Sequence, residues 1–222
     1  MPDTRIDVPR IDVPTGRGIP IVLSAASGTG KTTLGQRLIK RFPQIKLSVS
    51  YTTRAPRSGE VNGIDYYFVS TSQFEDMVHT NAFIEWAQVH GNMYGTAYSE
   101  VSRRLQSGED VLLDIDVQGG KSIRDRLPDS LLVFLLPPSL NELRRRLSSR
   151  GTESPEQVQL RLLNARREIE AASIYDYLIV NDDLDKASDA LAAVVHVERI
   201  RRMDKAAVLK AILTADNTSG SR

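Results

Sequence analysis

The stretch that most constrains this chain is a strand, a glycine-rich loop and a helix start in unbroken succession. Ile19-Pro20-Ile21-Val22-Leu23 is a short apolar run, and Ser24-Ala25-Ala26-Ser27-Gly28-Thr29-Gly30-Lys31-Thr32-Thr33 follows it. Leu34-Gly35-Gln36-Arg37-Leu38-Ile39-Lys40 then places Leu34, Leu38 and Ile39 on one helical face. In that order the loop's backbone N–H groups converge, the helix dipole favours negative charge, and Lys31 adds a mobile cation, so the segment makes an anion cradle. The Thr32 hydroxyl is placed to ligand Mg²⁺. The stretch reads as a P-loop for a nucleoside triphosphate, contacted by Ala25, Ala26, Ser27, Gly28, Thr29, Gly30, Lys31, Thr32 and Thr33. The pattern Gly-x-x-x-x-Gly-Lys-Ser/Thr asks for glycine where this chain has Ala25. Gly28 and Gly30 still permit close backbone approach. A plain glycine-rich turn between a strand and a helix is the other reading.

The 222-residue sequence fits one sizeable domain, since 41% of it is hydrophobic. With 29 basic and 28 acidic residues the net charge is +1, which gives no footprint for nucleic acid or a membrane surface. Cysteine is absent, excluding disulfides, thiolate metal sites and cysteine nucleophiles and fitting a reducing compartment. No apolar run approaches about 18 residues, and no signal core opens the chain. A cytoplasmic protein is expected. His79, His90 and His196 lack ligand spacing and receive no role.

Residues 1–18 repeat Arg-Ile-Asp-Val-Pro from Arg5 and again from Arg10. Proline at that spacing forbids a helix, so a disordered leader is expected. Strands are expected at Ile45–Ser50, Asp65–Val69 and Phe83–Val89, a helix capped by Thr71 or Ser72, and a turn at Gly91–Gly95. Trp86 reads as core. With no crossover helices joining them, the short strands between 50 and 95 read as a β-rich insertion. The α/β rhythm resumes with strands at Val111–Asp116, Leu131–Leu136 and Tyr177–Val180. Helices are expected at Ser99–Gln106, Gln118–Arg126, from a Ser139 cap to about Arg150, from Pro155 onward, and as one long C-terminal helix starting at Asp183. A tail from Asn217 looks disordered. Such alternation predicts an α/β fold with a P-loop NTPase-type parallel sheet flanked by helices. Its ligand crevice should lie at the carboxyl ends of the strands, where the loop and Asp114 both fall.

A second constellation lies in Ser50-Tyr51-Thr52-Thr53-Arg54-Ala55-Pro56-Arg57-Ser58-Gly59-Glu60. Arg54 and Arg57 are suited to two-point phosphate binding, and Tyr66 and Tyr94 offer phenolic donors to the same group. A solvated basic loop is the alternative. Arg144, Arg145, Arg146, Arg150, Arg161, Arg166 and Arg167 cluster around a break at Gly151-Thr152, which reads as a hinge or as an ordinary solvated face.

These segments, with Phe83-Ile84-Glu85-Trp86-Ala87, Tyr94-Gly95-Thr96, Leu113-Asp114-Ile115-Asp116-Val117-Gln118-Gly119 and Arg150-Gly151-Thr152-Glu153, stand in the order found in guanylate kinases. From about Gly18 to about Arg201 the chain resembles that family. The resemblance implies Mg²⁺-dependent transfer of the ATP γ-phosphoryl group to GMP, giving ADP and GDP in purine nucleotide metabolism. It implies a guanylate kinase-like domain over 19–204. The core would be 19–47, 97–138 and 168–204, with a GMP-binding insertion at 48–96 and a helical lid region at 139–167. Residues 205–222 would be a helix end and tail.

On the same resemblance Arg54, Arg57, Tyr66 and Tyr94 hold the GMP phosphate. Glu85 accepts from guanine N1–H and the 2-amino group, Ser50 and Thr96 contact O6, and Asp116 helps at the guanine edge. Thr96 replaces the family's usual serine but keeps the hydroxyl. Asp114, grouped with the GMP site, also resembles the acid closing a Walker B strand that orients Mg²⁺ through water or Thr32; a structural pairing with lysine is its other reading. Arg146 and Arg150 line the ATP side, Arg161 reaches the transferred phosphoryl group, and Asn181 lies by the adenine. Lys31, Arg54, Arg150 and Arg161 are the implied catalytic set, and Thr32 the metal ligand. Small-molecule substrates, no nucleic acid, no membrane, and a monomer or homodimer are expected. A silent peptide-binding module and a sugar-phosphate kinase on the same fold are the competing readings. Lys31 and Thr32 speak against the first, and Ser50, Glu85 and Thr96 against the second.

Overall fold

A computed structural model describes residues 17–89, 91–149 and 154–218. In chain order the elements are β1 (Pro20–Ala25), α1 (Lys31–Arg41), β2 (Ile45–Leu47), β3 (Tyr51–Thr52), β4 (Tyr67–Phe68), α2 (Thr71–His79), β5 (Phe83–Val89), β6 (Asn92–Ala97) and α3 (Tyr98–Gln106). Then follow β7 (Asp110–Asp114), α4 (Val117–Arg126), β8 (Leu131–Leu136), α5 (Leu140–Ser148), α6 (Pro155–Glu170), β9 (Tyr177–Val180), α7 (Leu184–Arg201) and α8 (Lys205–Thr218). A 3₁₀ turn over Ala171–Ile174 links α6 to β9.

The larger sheet has five parallel strands in the order β2-β7-β1-β8-β9. Its central strands are unbroken apolar runs because helices cover both faces. The strand period of two sorts them. Ile21, Leu23, Leu112, Val133 and Leu135 pack with Leu34 and Leu38 of α1 and Leu191 and Val195 of α7. Val22, Val111, Leu113, Leu132 and Phe134 pack with Val101 and Leu105 of α3 and Val117 and Ile123 of α4. The register pairs Leu23 with Asp114, Ala25 with Leu135, and Leu136 with Val180. The loops after β1, β7 and β9 therefore open at one carboxyl edge.

The smaller sheet runs β4-β3-β6-β5 and joins the antiparallel β5–β6 pair to β3. Its own core is Phe74 of α2 stacked on Phe83 at 4.4 Å, with Ala97 beside them.

Several local expectations are corrected. Gly91–Gly95 is not a turn throughout: β6 begins at Asn92, so the hairpin is tighter than the glycines suggest. The cap of α2 is Ser70, whose hydroxyl accepts from Gln73 N–H while the Gln73 side chain returns to the Ser70 N–H. Trp86 is half exposed on the face of β5 opposite Glu85. β2 stops at Leu47 because the chain then leaves the larger sheet for β3. The C-terminal helix breaks at Arg202–Asp204 into α7 and α8, and α8 carries Asn217 and Thr218. The repeat at 1–16, His90 and Arg150 lie outside the described residues.

Candidate active site

The loop between β1 and α1 is built for an anion. Gly28 and Gly30 adopt φ +90° and +98°, conformations that a side chain resists. A Cβ at Gly28 would lie 2.8 Å from Leu147 of α5, and one at Gly30 would lie 2.9 Å from the Asn181 side-chain nitrogen. Ala25, by contrast, is the last residue of β1, paired with Leu135. It is not among the positive-φ positions, so alanine costs nothing there. The helix start itself is left open: Gly30 occupies the N-cap of α1 and supplies no side chain, so its first N–H groups face outward unsatisfied by any cap. Five other helices, α2, α4, α5, α6 and α7, are capped by the side chains of Ser70, Asp116, Ser139, Ser154 and Asp183.

Lys31 donates to the Ile115 carbonyl at 3.1 Å and pairs with Asp114 at 2.5 Å. Both side chains are partly exposed, so the cation rests on the carboxylate within reach of the loop. Thr32 and Thr33 are exposed on the first turn, while Ala26 and Thr29 are buried beneath it. The Asn181 side-chain amide donates to the Thr29 carbonyl at 2.7 Å, and the Asn181 backbone carbonyl accepts from Arg146 at 3.0 Å. Arg146 in turn donates to Glu142 at 2.9 Å. Asn181 and Arg146 thus brace the phosphate loop from the end of β9 and from α5.

The second group of residues lines one face of the smaller sheet. Glu85 stands opposite Thr96 in the β5–β6 ladder, and the Thr96 hydroxyl donates to Glu85 Oε1 at 2.5 Å. Tyr94 lies two residues along from Thr96, hence on the same face. Its ring meets Tyr66 edge-on at 6.0 Å. Arg54 lies over Tyr66 with its guanidinium carbon 5.4 Å from the ring centre, and pairs with Glu60 at 2.8 Å. Burial raises the Glu85 carboxyl above its ordinary value; the Thr96 hydrogen bond opposes this and the Asp116 charge adds to it. Burial likewise raises the Tyr66 hydroxyl, which keeps it a donor. The hydrogen bond from Arg54 holds Glu60 below the usual carboxylate range. Ser50, just before β3, accepts from Tyr67 N–H through its carbonyl. Arg57 is exposed; its backbone N–H donates to the Glu60 carboxylate at 2.7 Å and its carbonyl accepts from the Glu60 N–H at 3.1 Å.

The structure therefore brings Lys31, Thr32, Asp114, Arg146 and Asn181 to the carboxyl edge of the parallel sheet. It brings Arg54, Tyr66, Glu85, Tyr94 and Thr96 together on the smaller one. Asp116 caps α4 by accepting from Gly119 N–H at 2.8 Å while its charge bears on Glu85. Gly119 joins the two regions, since a Cβ there would lie 3.4 Å from Glu85 Oε2. Arg161 stands on α6 and is partly buried. Arg144 and Arg166 go elsewhere, lining a cleft of about 640 Å³ between α5 and α6 with Leu140, Leu160 and Leu163. Sequence spacing assigns no role to Glu60, Glu142 or Glu168. Glu60 sits six residues after Arg54, a span that only a closed turn makes a contact; Glu142 shows the i, i+4 spacing to Arg146.

A nucleotide-binding loop at the carboxyl edge of a helix-covered parallel sheet defines a P-loop NTPase-type protein. The family model described as Guanylate kinase matches residues 17–198, and the chain belongs to that family. It is 47% identical over 186 residues to a guanylate kinase of Neisseria meningitidis serogroup A, covering 84% of this chain and 91% of that protein. It is 44% identical over 195 residues to one of Desulfitobacterium hafniense, covering 88% and 98%. A crystal structure of guanylate kinase from Anaplasma phagocytophilum is similar at TM-score 0.67 and 32% identity, covering 87% of this chain and 94% of that one.

Proposed function

We propose that this chain transfers the γ-phosphoryl group of ATP to GMP, giving ADP and GDP. The observation that carries the reading is the row Glu85–Thr96–Tyr94–Tyr66–Arg54 on one sheet face. On this reading the Glu85 carboxylate would meet the base, and Arg54, Tyr66 and Tyr94 would meet the phosphate. Guanine presents N1–H and a 2-amino group, both donors, to an ionised Glu85, while adenine presents a lone pair at N1 that a carboxylate repels. A hydrogen-bonding site of this kind rejects the wrong base better than shape does. A sugar phosphate would give Glu85 and Thr96 nothing to read.

ATP would lie on the loop from Ala25 to Thr33, with its phosphates on the uncapped helix start and Lys31. GMP would place its phosphate on Arg54, Arg57, Tyr66 and Tyr94, displacing Glu60 from Arg54, and its base on Ser50, Glu85, Thr96 and Asp116. A phosphate oxygen of GMP attacks the γ-phosphorus. The bond from that phosphorus to its bridging oxygen breaks, and ADP leaves with the electron pair. The acceptor oxygen is already anionic, so no general base is required. Alignment and neutralisation by Lys31, Arg54, Arg161 and Arg150 would carry the rate.

The donor set suits Mg²⁺. Thr32 and Asp114 offer oxygen ligands at the loop, and no cluster of three or more His, Asp or Glu ligands exists among the described residues. A cation bound mainly through substrate phosphates and one or two protein oxygens has the preferences of magnesium. Thr32 would hold it and Asp114 would orient its hydration shell; the ion supplies charge neutralisation on the phosphates.

No helix among the described residues is long and apolar enough to cross a membrane. With no cysteine and a near-neutral charge, we assign the protein to the cytoplasm, acting on small molecules rather than nucleic acid, as a monomer or homodimer. The test is ADP formation from ATP and Mg²⁺ with GMP, AMP, CMP and UMP in turn. Turnover with GMP far above the others is expected. Folded protein that turns over with none of them, or equally with AMP, overturns the reading.

A further inference from the structure

Helix α6 carries a carboxylate on the face that its pattern reserves for packing. Arg161, Ala165 and Glu168 follow at spacings of four and three, so they share one face of α6, and Ala172 follows in the 3₁₀ turn. Ala165 and Ala172 are buried, and Ala165 packs with Ala26 of the phosphate loop and with Leu143 and Leu147 of α5. Between them Glu168 is partly buried, and its Oε2 accepts a hydrogen bond from the backbone N–H of Ser27 at 3.3 Å. Burial raises this carboxyl, the Ser27 N–H opposes that, and Asp116 and Lys31 act on it with opposite signs. A negative group set against a phosphate-binding loop works against anion binding, so its place there needs an offsetting role.

We infer that Glu168 is a positioning residue that pins the base of α6 to the rim of the phosphate loop and thereby aims Arg161. Ser27 lies at the entrance of the loop. Giving its N–H a protein acceptor fixes the rim; the Thr29 N–H turns back to the Ala26 carbonyl, while the amides of Gly28 and of Gly30 to Thr33 stay available to phosphate. Arg161 stands seven residues earlier on the same face, about 10 Å along the helix axis. A shift at the Glu168 anchor is carried to Arg161 by the rigid helix, and a misplacement of about 1 Å costs about 10²-fold in rate. The inference rests on the phosphoryl-transfer reading above for the role of Arg161, but the Ser27 anchor is read independently of it.

The experiment compares Glu168→Ala, Glu168→Gln, Arg161→Ala and the Glu168→Ala/Arg161→Ala double variant, with ATP varied at saturating GMP. Glu168→Ala is expected to lower kcat by about 10- to 100-fold and to raise the KM for ATP, with GMP binding in the absence of ATP unchanged. Glu168→Gln keeps an acceptor oxygen at the same reach and should recover most of the loss. The double variant should be no slower than Arg161→Ala alone, because the two residues act as one unit. Calorimetric binding of ATP alone should be weakened by Ala and restored by Gln, whatever the acceptor. Wild-type kcat and ATP affinity in Glu168→Ala, Gln as defective as Ala, or losses that multiply in the double variant would each overturn the inference. If Glu168→Ala does not fold, Glu168→Asp replaces it: one methylene shorter, it keeps the charge but cannot reach Ser27, and the same outcomes apply. A wild type that binds ATP but does not phosphorylate GMP would instead overturn the functional reading. The ATP-binding comparison would then decide the Ser27 anchor alone.

Discussion

The phosphate loop and the acceptor face of the smaller sheet would hold anions by opposite means. The loop uses backbone: an uncapped helix start, two glycines at positive φ, and one lysine. The acceptor face uses side chains contributed from three separate stretches, Arg54, Tyr66 and Tyr94, gathered by strand pairing. Yet in both the key cation is clasped by a carboxylate, Lys31 by Asp114 at 2.5 Å and Arg54 by Glu60 at 2.8 Å. A site made of backbone cannot be assembled piecemeal, so it leaves a contiguous motif. A site made of side chains can be, and leaves none.

The comparison is broken most sharply at Lys31. Lys31→Ala should lower kcat by about 10³-fold, the loss typical of removing one preorganised transition-state donor, while GMP binding by calorimetry stays intact. Equal loss at both sites would mean that they are not separate. Next in size is Glu85→Gln, which should cut the GMP-over-AMP ratio of kcat/KM by about 10²-fold and leave the KM for ATP alone.

The backbone character of the loop is tested by a pair of variants. Gly30→Ala forces a side chain into φ +98° and against Asn181, and should destabilise the fold by about 1–2 kcal/mol and weaken ATP binding. Ala25→Gly completes the sequence pattern at a strand position. It should gain no ATP affinity and cost stability by about 0.5–1 kcal/mol, read from denaturant midpoints.

Acidity sharpens the other half. Glu85 must be ionised to accept two guanine donors, and its pKa is raised by burial. As pH falls, it therefore protonates before an ordinary carboxylate does. The KM for GMP should rise at a pH above the usual carboxylate range, and Glu85→Gln should abolish that inflection. The smallest effect is expected from Glu60→Gln. It weakens a partly buried clasp on Arg54 and should change the KM for GMP by about threefold or less.

Legibility in the sequence follows the same division. The strand–loop–helix opening, the apolar strands β8 and β9, the Ser139 and Asp183 caps and Pro155 at the first turn of α6 are all local patterns. Each stands where its residues put it. β6 was not legible past its glycine, because Gly95 sits in a strand where Phe83 and Trp86 crowd it. Glu85 beside Thr96 could not be read from spacing: eleven residues separate them, and only the β5–β6 register makes them neighbours. The pairing of Lys31 with Asp114 was one of two readings open for that acid. The roles of Glu60 and Glu168 depend on a closed turn and on a helix docked 141 residues from its partner. The stripe of Ala165 and Ala172 around Glu168 was the one signal that pointed inward.

The most direct test of the central claim follows the phosphoryl group itself. ATP labelled in its γ-phosphate is incubated with protein, Mg²⁺ and GMP, and the label is located by chromatography. The account expects the label in GDP, one ADP formed for each, and little free phosphate. Label released as inorganic phosphate, or left on ATP by folded protein that binds both nucleotides, would contradict it.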